Sequence, residues 1–103
     1  MKKIIYLFIL IVLFNNQLTA KENIMILKLK TGDVEIELFQ KIAPNHVKRI
    51  KELADSGQYD GVIFHRVIDG FMAQTGDVKF GKTNGKDFNT GLAGTGGSDL
   101  PDL

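Results

Sequence analysis

The sequence predicts a mainly β domain with one helix, and three observations lead there. Apolar and polar residues alternate one by one on both sides of Thr31-Gly32-Asp33. Asp69-Gly70 separates two runs rich in β-branched and aromatic residues. Helical spacing appears once, after Ala43-Pro44. Alternation at a period of two is what a strand with one covered face requires, because successive side chains leave it on opposite sides.

The chain opens on Met1-Lys2-Lys3, runs unbroken and apolar from Ile4 to Phe14, and turns polar before Leu18-Thr19-Ala20. A basic start, an apolar middle and a small terminal residue make the layout of a secretory signal peptide, with cleavage expected after Ala20. The apolar run is shorter than the roughly 20 residues that a membrane-spanning helix needs. Leu18 is larger than the small residue preferred three positions from the end of a signal, so a retained anchor is the alternative. The expected organisation is a signal over 1–20 and one domain over 21–103, which places that domain in the periplasm or outside the cell.

Charge and composition exclude several classes. The 103 residues carry 13 basic and 12 acidic side chains. Setting aside Lys2 and Lys3 leaves 11 against 12, a balance of −1 with the cations scattered, which is no electrostatic footprint for nucleic acid. There is no Cys, so neither a disulfide nor a thiolate ligand is available, and two histidines do not support a metal site. No cofactor and no membrane contact after signal cleavage are expected, and the oligomeric state is left open. The 83 residues beyond Ala20 make one small domain, near the size at which a single core barely suffices.

Met25 to Phe39 reads as a hairpin. Leu27 and Leu29 alternate with Lys28 and Lys30, Thr31-Gly32-Asp33 turns the chain, and Val34, Ile36 and Leu38 alternate with Glu35 and Glu37. One face is then apolar, and on the other lysines are expected to stand opposite glutamates. Ala43-Pro44-Asn45 opens a helix, since proline at the first helical position loses no internal hydrogen bond. Val47, Ile50, Leu53 and Ala54 recur at helical spacing, and Ser56-Gly57 supplies the residue that accepts a left-handed cap. His46 is expected at the surface.

The most informative stretch is Phe64-His65-Arg66-Val67-Ile68-Asp69-Gly70-Phe71-Met72-Ala73-Gln74-Thr75-Gly76-Asp77. Asp69-Gly70 is expected to be a two-residue hairpin turn, pairing the flanking runs antiparallel. Phe64, Arg66 and Ile68 should share one face, His65 and Val67 the other, with Met72 and Gln74 together across the turn. The sequence does not fix the hairpin register, and a patch of Arg66, Phe71, Met72 and Gln74 is compatible with this geometry: one guanidinium, one amide and two large apolar side chains. These are binding groups, and no nucleophile is among them. His65 is expected to be structural, hydrogen-bonded inside the sheet.

The ordered run F-H-R-V-I-x-G-F-M-x-Q-x-G-D resembles the signature of the cyclophilin-type peptidyl-prolyl cis/trans isomerases. Gly57-Gln58-Tyr59-Asp60-Gly61 before it and Gly94-Thr95-Gly96-Gly97 after it agree, and the likeness runs from about Ile26 to Leu103. Asp69 stands where many relatives have Pro, and Thr75 where many have Gly. The resemblance implies a closed, eight-stranded antiparallel β-barrel capped by two helices, of which this chain is expected to supply the N-terminal half with one helix. It also implies isomerisation of X-Pro bonds in unfolded or Pro-containing polypeptides, with Arg66 catalytic and Phe71, Met72 and Gln74 binding substrate. Later family residues that complete the proline pocket, including an Asn-rich segment, further aromatics and a His, have no counterpart in this sequence. The domain is therefore expected to be truncated at its C-terminus, and a non-catalytic remnant that grips Pro-containing peptides is the alternative.

One further motif competes. Gly76-Asp77-Val78-Lys79-Phe80-Gly81-Lys82-Thr83 satisfies the nucleotide-binding pattern G-x-x-x-x-G-K-[ST]. A phosphate cradle works by opening a helix, whose free amides meet the phosphate, and Asn84 to Gly91 is a poor helix former at nearly every step.

Overall fold

The computed structural model describes residues 23–103, so the signal expected over 1–20 lies outside the described residues. The elements are β1 (Ile24–Leu29), β2 (Gly32–Glu37), α1 (Pro44–Asp55), β3 (Phe64–Ile68) and β4 (Met72–Thr75). They form two separate two-stranded antiparallel sheets, β1–β2 and β3–β4. Two compact units divide within α1, Val47 closing the first and Lys48 opening the second.

In the first unit, Leu27 pairs with Val34 and Met25 with Ile36, so the expected apolar face exists, and Met25, Leu27 and Ile36 are half-buried on it. Two details differ from the sequence reading. Leu29 lies opposite Gly32, so the turn is Lys30-Thr31, one residue earlier than expected. Neither turn residue takes a positive φ; Gly32 carries it, at 137°, as it opens β2. On the other face only Lys28 stands opposite an acid, Asp33, while Glu35 faces Ile26 and Glu37 faces Ile24. The one-residue shift of the turn moves Lys30 out of the ladder and leaves the two glutamates beside isoleucines. The ladder gains one more bond beyond β2, from Leu38 N to Asn23 O at 2.7 Å.

The helix starts as expected. Ala43 O accepts from Val47 N at 3.0 Å, making Ala43 the residue ahead of the first turn and Pro44 the first helical position. Val47 is buried at this end.

In the second unit α1 ends in a Schellman arrangement. Gly57, at φ +76°, donates to Ala54 O (3.1 Å) while Gln58 N reaches Leu53 O (3.0 Å), satisfying two carbonyls that the helix end would leave free. Leu53 is buried beneath this turn of helix. Arg49 Nη2 donates to Pro101 O at 2.7 Å, fastening the helix to the last described segment. His46, at the helix start in the first unit, is exposed, as expected.

Val78 to Gly97 has no regular element, yet it is closely tied. Ile63 N donates to Gly81 O (2.9 Å), Thr83 N and Thr83 Oγ1 both donate to Gly61 O (2.9 Å each), and Val62 and Lys82 form an isolated bridge. Lys82 Nζ donates to Gly57 O at 3.0 Å and to Asp60 O. These bonds engage the Lys and Thr that a phosphate cradle would need, and no helix follows Thr83. The nucleotide-binding pattern is spent on holding two backbone segments together.

Candidate functional site

The hairpin β3–β4 decides which side chains meet. Its register sets Ile68 opposite Met72, Val67 opposite Ala73 and Arg66 opposite Gln74. Residues directly opposite in an antiparallel pair share a face, so Arg66, Ile68, Met72 and Gln74 stand on one side and Val67 with Ala73 on the other. Arg66 and Gln74 are exposed and Met72 is half-buried. The Arg66 guanidinium makes no hydrogen bond or ion pair with any described residue, which leaves its five N–H donors free for a bound molecule.

Phe71 does not join the ladder. With Ile68 paired to Met72, the connection holds three residues, Asp69, Gly70 and Phe71, and not the two expected. Phe71 N donates to Ile68 O at 3.0 Å, Gly70 has φ +70°, and Asp69 keeps a negative φ. A positive φ at the third residue alone is the type II pattern, with Gly70 at the position that requires it. Phe71 therefore sits in the turn beside Met72, 76% exposed. Thr75, the other departure from the family run, donates its hydroxyl to Ile63 O at 2.8 Å and so braces the strand that leads into β3.

Between Phe64, which pairs with Thr75, and Arg66, which pairs with Gln74, β3 carries one extra residue, His65. This is a β-bulge, a device that bends a strand and re-aims its side chains. The imidazole is not hydrogen-bonded inside the sheet as expected: Nδ1 is shut off from solvent and has no partner among the described residues. The ring lies instead against the backbone of Gly94, where a Cβ would stand 2.8 Å from both Cδ2 and Nε2.

Asp77 organises the loop that brings Gly94 there, a role the sequence reading did not assign. Its carboxylate is 4% exposed and accepts four backbone N–H groups: Lys79 (3.0 Å) and Phe80 (2.9 Å) on Oδ1, Gly94 (2.8 Å) and Gly96 (2.9 Å) on Oδ2. Burial works to raise the Asp77 carboxyl, but the four donors outweigh it and hold it below its ordinary value. The available signal was Asp77 at the mouth of a loop rich in glycine, the residue whose amide approaches most closely.

A half-open hollow of about 370 Å³ lies in the same unit, bordered by Gln58, Lys79, Lys86, Asp87, Ser98 and Asp99 among others. None of Arg66, Phe71, Met72 and Gln74 lines it. Among the described residues no group of three or more His, Cys, Asp or Glu could hold a metal.

The model of the family "cyclophilin type peptidyl-prolyl cis-trans isomerase/CLD" matches residues 24–101. The chain belongs to the cyclophilin family. Among curated relatives, a "probable peptidyl-prolyl cis-trans isomerase" of Brucella suis is 61% identical over 82 residues, covering 80% of this chain and 41% of the relative. Its Brucella abortus counterpart is 60% identical over the same span. "Peptidyl-prolyl cis-trans isomerase-like 1" of Rhizopus delemar is 39% identical over 85 residues, 74% of this chain and 52% of that protein. No solved structure matches. This cyclophilin chain thus spans 41% of the length of the Brucella proteins it matches. Within the family the two-sheet, one-helix arrangement seen here is a mainly β partial domain, and its described residues do not close a barrel.

Proposed function

We propose that this cyclophilin accelerates rotation about X-Pro peptide bonds in unfolded or Pro-containing polypeptides, without a cofactor, using Arg66 as the catalytic donor. The observation that carries the reading is the register that stands Arg66 opposite Gln74 on the face shared with Met72, in a chain of this family. The relatives' names support the same reaction.

The chemistry asks for little. Rotation breaks amide resonance over a barrier of roughly 18–20 kcal/mol, and no bond to the protein need form. In the twisted state the proline nitrogen regains a lone pair and accepts a hydrogen bond, which it cannot do when planar. A guanidinium is always charged and always a donor, so placed there it binds the twisted form better than the planar one, which is catalysis by differential binding. Phe71 and Met72 supply apolar surface for the proline ring, and water kept from that surface strengthens the Arg66 contact. Gln74 presents an amide that can donate to and accept from the substrate backbone.

In the same reading the domain occupies 21–103 and forms the N-terminal half of an eight-stranded barrel capped by two helices. Residues 1–20 act as a signal that delivers the protein to the periplasm or beyond.

The test is Arg66→Ala in the full chain. A prolyl-peptide isomerisation assay should read at least about a tenfold loss of rate, with far-ultraviolet circular dichroism unchanged. Unchanged turnover would refute the assignment of Arg66. A parent chain that retains prolyl peptides without speeding their rotation would mark a binder and not a catalyst.

A further inference from the structure

We infer that His65, clamped beneath Gly94, is a positioning residue that aims Arg66. The inference rests on the role proposed for Arg66 and adds to it what fixes that side chain.

Four observations converge. His65 is the extra residue of the bulge, immediately before Arg66, so the direction of Arg66 depends on how the bulge is held. The imidazole is covered by the backbone of Gly94, whose φ of +100° and missing Cβ both exclude a larger residue: an added Cβ would lie 2.8 Å from Cδ2 and Nε2. Gly94 is itself pinned, its N–H held by buried Asp77 Oδ2 at 2.8 Å, and Gly96 N holds the same oxygen at 2.9 Å. On the far side of the bulge Thr75 Oγ1 fastens Ile63 O at 2.8 Å. The extra residue is therefore braced from both sides, and the Arg66 guanidinium leaves the strand next to it with no described partner of its own.

The lone Nδ1 says what His65 contributes. Nδ1 is buried with no partner among the described residues, and the ring atoms that meet Gly94 are Cδ2 and Nε2, so what His65 presents to Gly94 is the flat ring. An apolar ring should serve in its place, and a methyl group should not.

The sequence of dependence runs from Asp77 to Gly94 to His65 to Arg66, and only the last touches substrate. Two consequences separate positioning from general support of the fold. First, a group that acts only through Arg66 has nothing left to lose once Arg66 is gone, so the losses should not add. Second, the cross-strand meeting of Arg66 and Gln74 should weaken when the wedge is removed, whatever the rate does.

The experiment uses the full chain and compares parent, His65→Ala, His65→Phe, Arg66→Ala and the His65→Ala/Arg66→Ala double variant, each checked for folding by circular dichroism. His65→Ala should lower kcat by about fivefold with KM changed less than about twofold, and His65→Phe should recover most of that loss. The double variant should fall no more than about twofold below Arg66→Ala alone. In parallel, nuclear Overhauser contacts between Arg66 and Gln74, clear in the parent and in His65→Phe, should fade in His65→Ala. Multiplying losses, or contacts that persist unchanged in His65→Ala, would overturn the inference. If Arg66→Ala leaves the rate unchanged, the proposed chemistry fails, and the contacts alone still decide whether His65 aims the side chain. Should His65→Ala fail to fold, Gly94→Ala gives the second route: its Cβ displaces the ring, and the same contacts should be lost.

Discussion

Asp77 concentrates more of the second unit's order than any other side chain described. Four backbone N–H groups converge on one carboxylate that is nearly sealed from water. The donors hold the group below the usual carboxylate pKa, and the sign of the linkage follows. A folded-state value under the unfolded one contributes stability that is complete above the unfolded value and lost as the pH falls through the folded one. Asp77→Asn keeps one oxygen acceptor and loses the other, leaving buried donors unmatched at a cost of about 1–3 kcal/mol. The expected outcome is a lower midpoint for the variant in urea at pH 7, and a gap between parent and variant that narrows as the pH drops below about 4. An unchanging gap from pH 7 to pH 2 would mean that the carboxylate's charge is not what the loop uses. At this scale the sequence named Arg66, Met72 and Gln74 but did not set the register that gathers them: a two-residue turn would pair Arg66 with Ala73, and it is the three-residue connection that brings Gln74 opposite Arg66. Asp77 was not legible, because its partners lie up to 19 residues away and are backbone amides, which every residue except proline carries.

At the scale of elements, the sequence placed every strand and the helix but missed the local count at both turns. The first turn came one residue early, because Gly32 was free to open the strand and Lys30-Thr31 could turn without glycine. The second holds three residues and not two, since Asp69 stays at negative φ and only Gly70 crosses over. A bulge is equally hard to foresee, because one surplus residue leaves the alternation of polar and apolar positions intact on either side. The helix end was legible, as Ser56-Gly57 is a direct chemical signature. Gly57 at φ +76° sits in space where a Cβ would meet only Asp60 Oδ2, at an ordinary 3.4 Å. The cost of Gly57→Ala is therefore conformational, about 1 kcal/mol, and should appear as a lowered urea midpoint with an unaltered slope, while Gly57→Asn loses less. Equal losses for the two would shift the explanation from φ to contact.

For the whole molecule, the shortage of core is the governing fact. Val47 and Leu53 are the buried large hydrophobic residues among those described, while Ile24, Ile26, Val34, Phe64, Val67 and Leu92 all remain more than a third exposed. The chain spans 41% of the length of the Brucella relatives it matches, and its described sheets each keep an open apolar face. The family was legible from the ordered run alone, not from periodicity, because two short hairpins are compatible with many architectures. Export belongs to this scale as well. Expressed in a bacterium with intact secretion, the mature chain should begin at Lys21, read by intact mass as loss of residues 1–20. A mass that retains Met1 to Ala20 would instead favour a membrane-held form.

The tie between Gly57–Ile63 and Gly81–Thr83 has a bearing on where such a chain can work. Together, the bridge, the backbone bonds and the Lys82 ammonium close the stretch from Val62 to Lys82 into a ring with the Arg66 hairpin inside it. Many small domains close such rings with sulfur, and this chain, with no Cys, does so with an amine, a hydroxyl and peptide carbonyls. Its knot is indifferent to oxidant and reductant alike, so the finger that presents the guanidinium stays tied whatever the redox state of its surroundings.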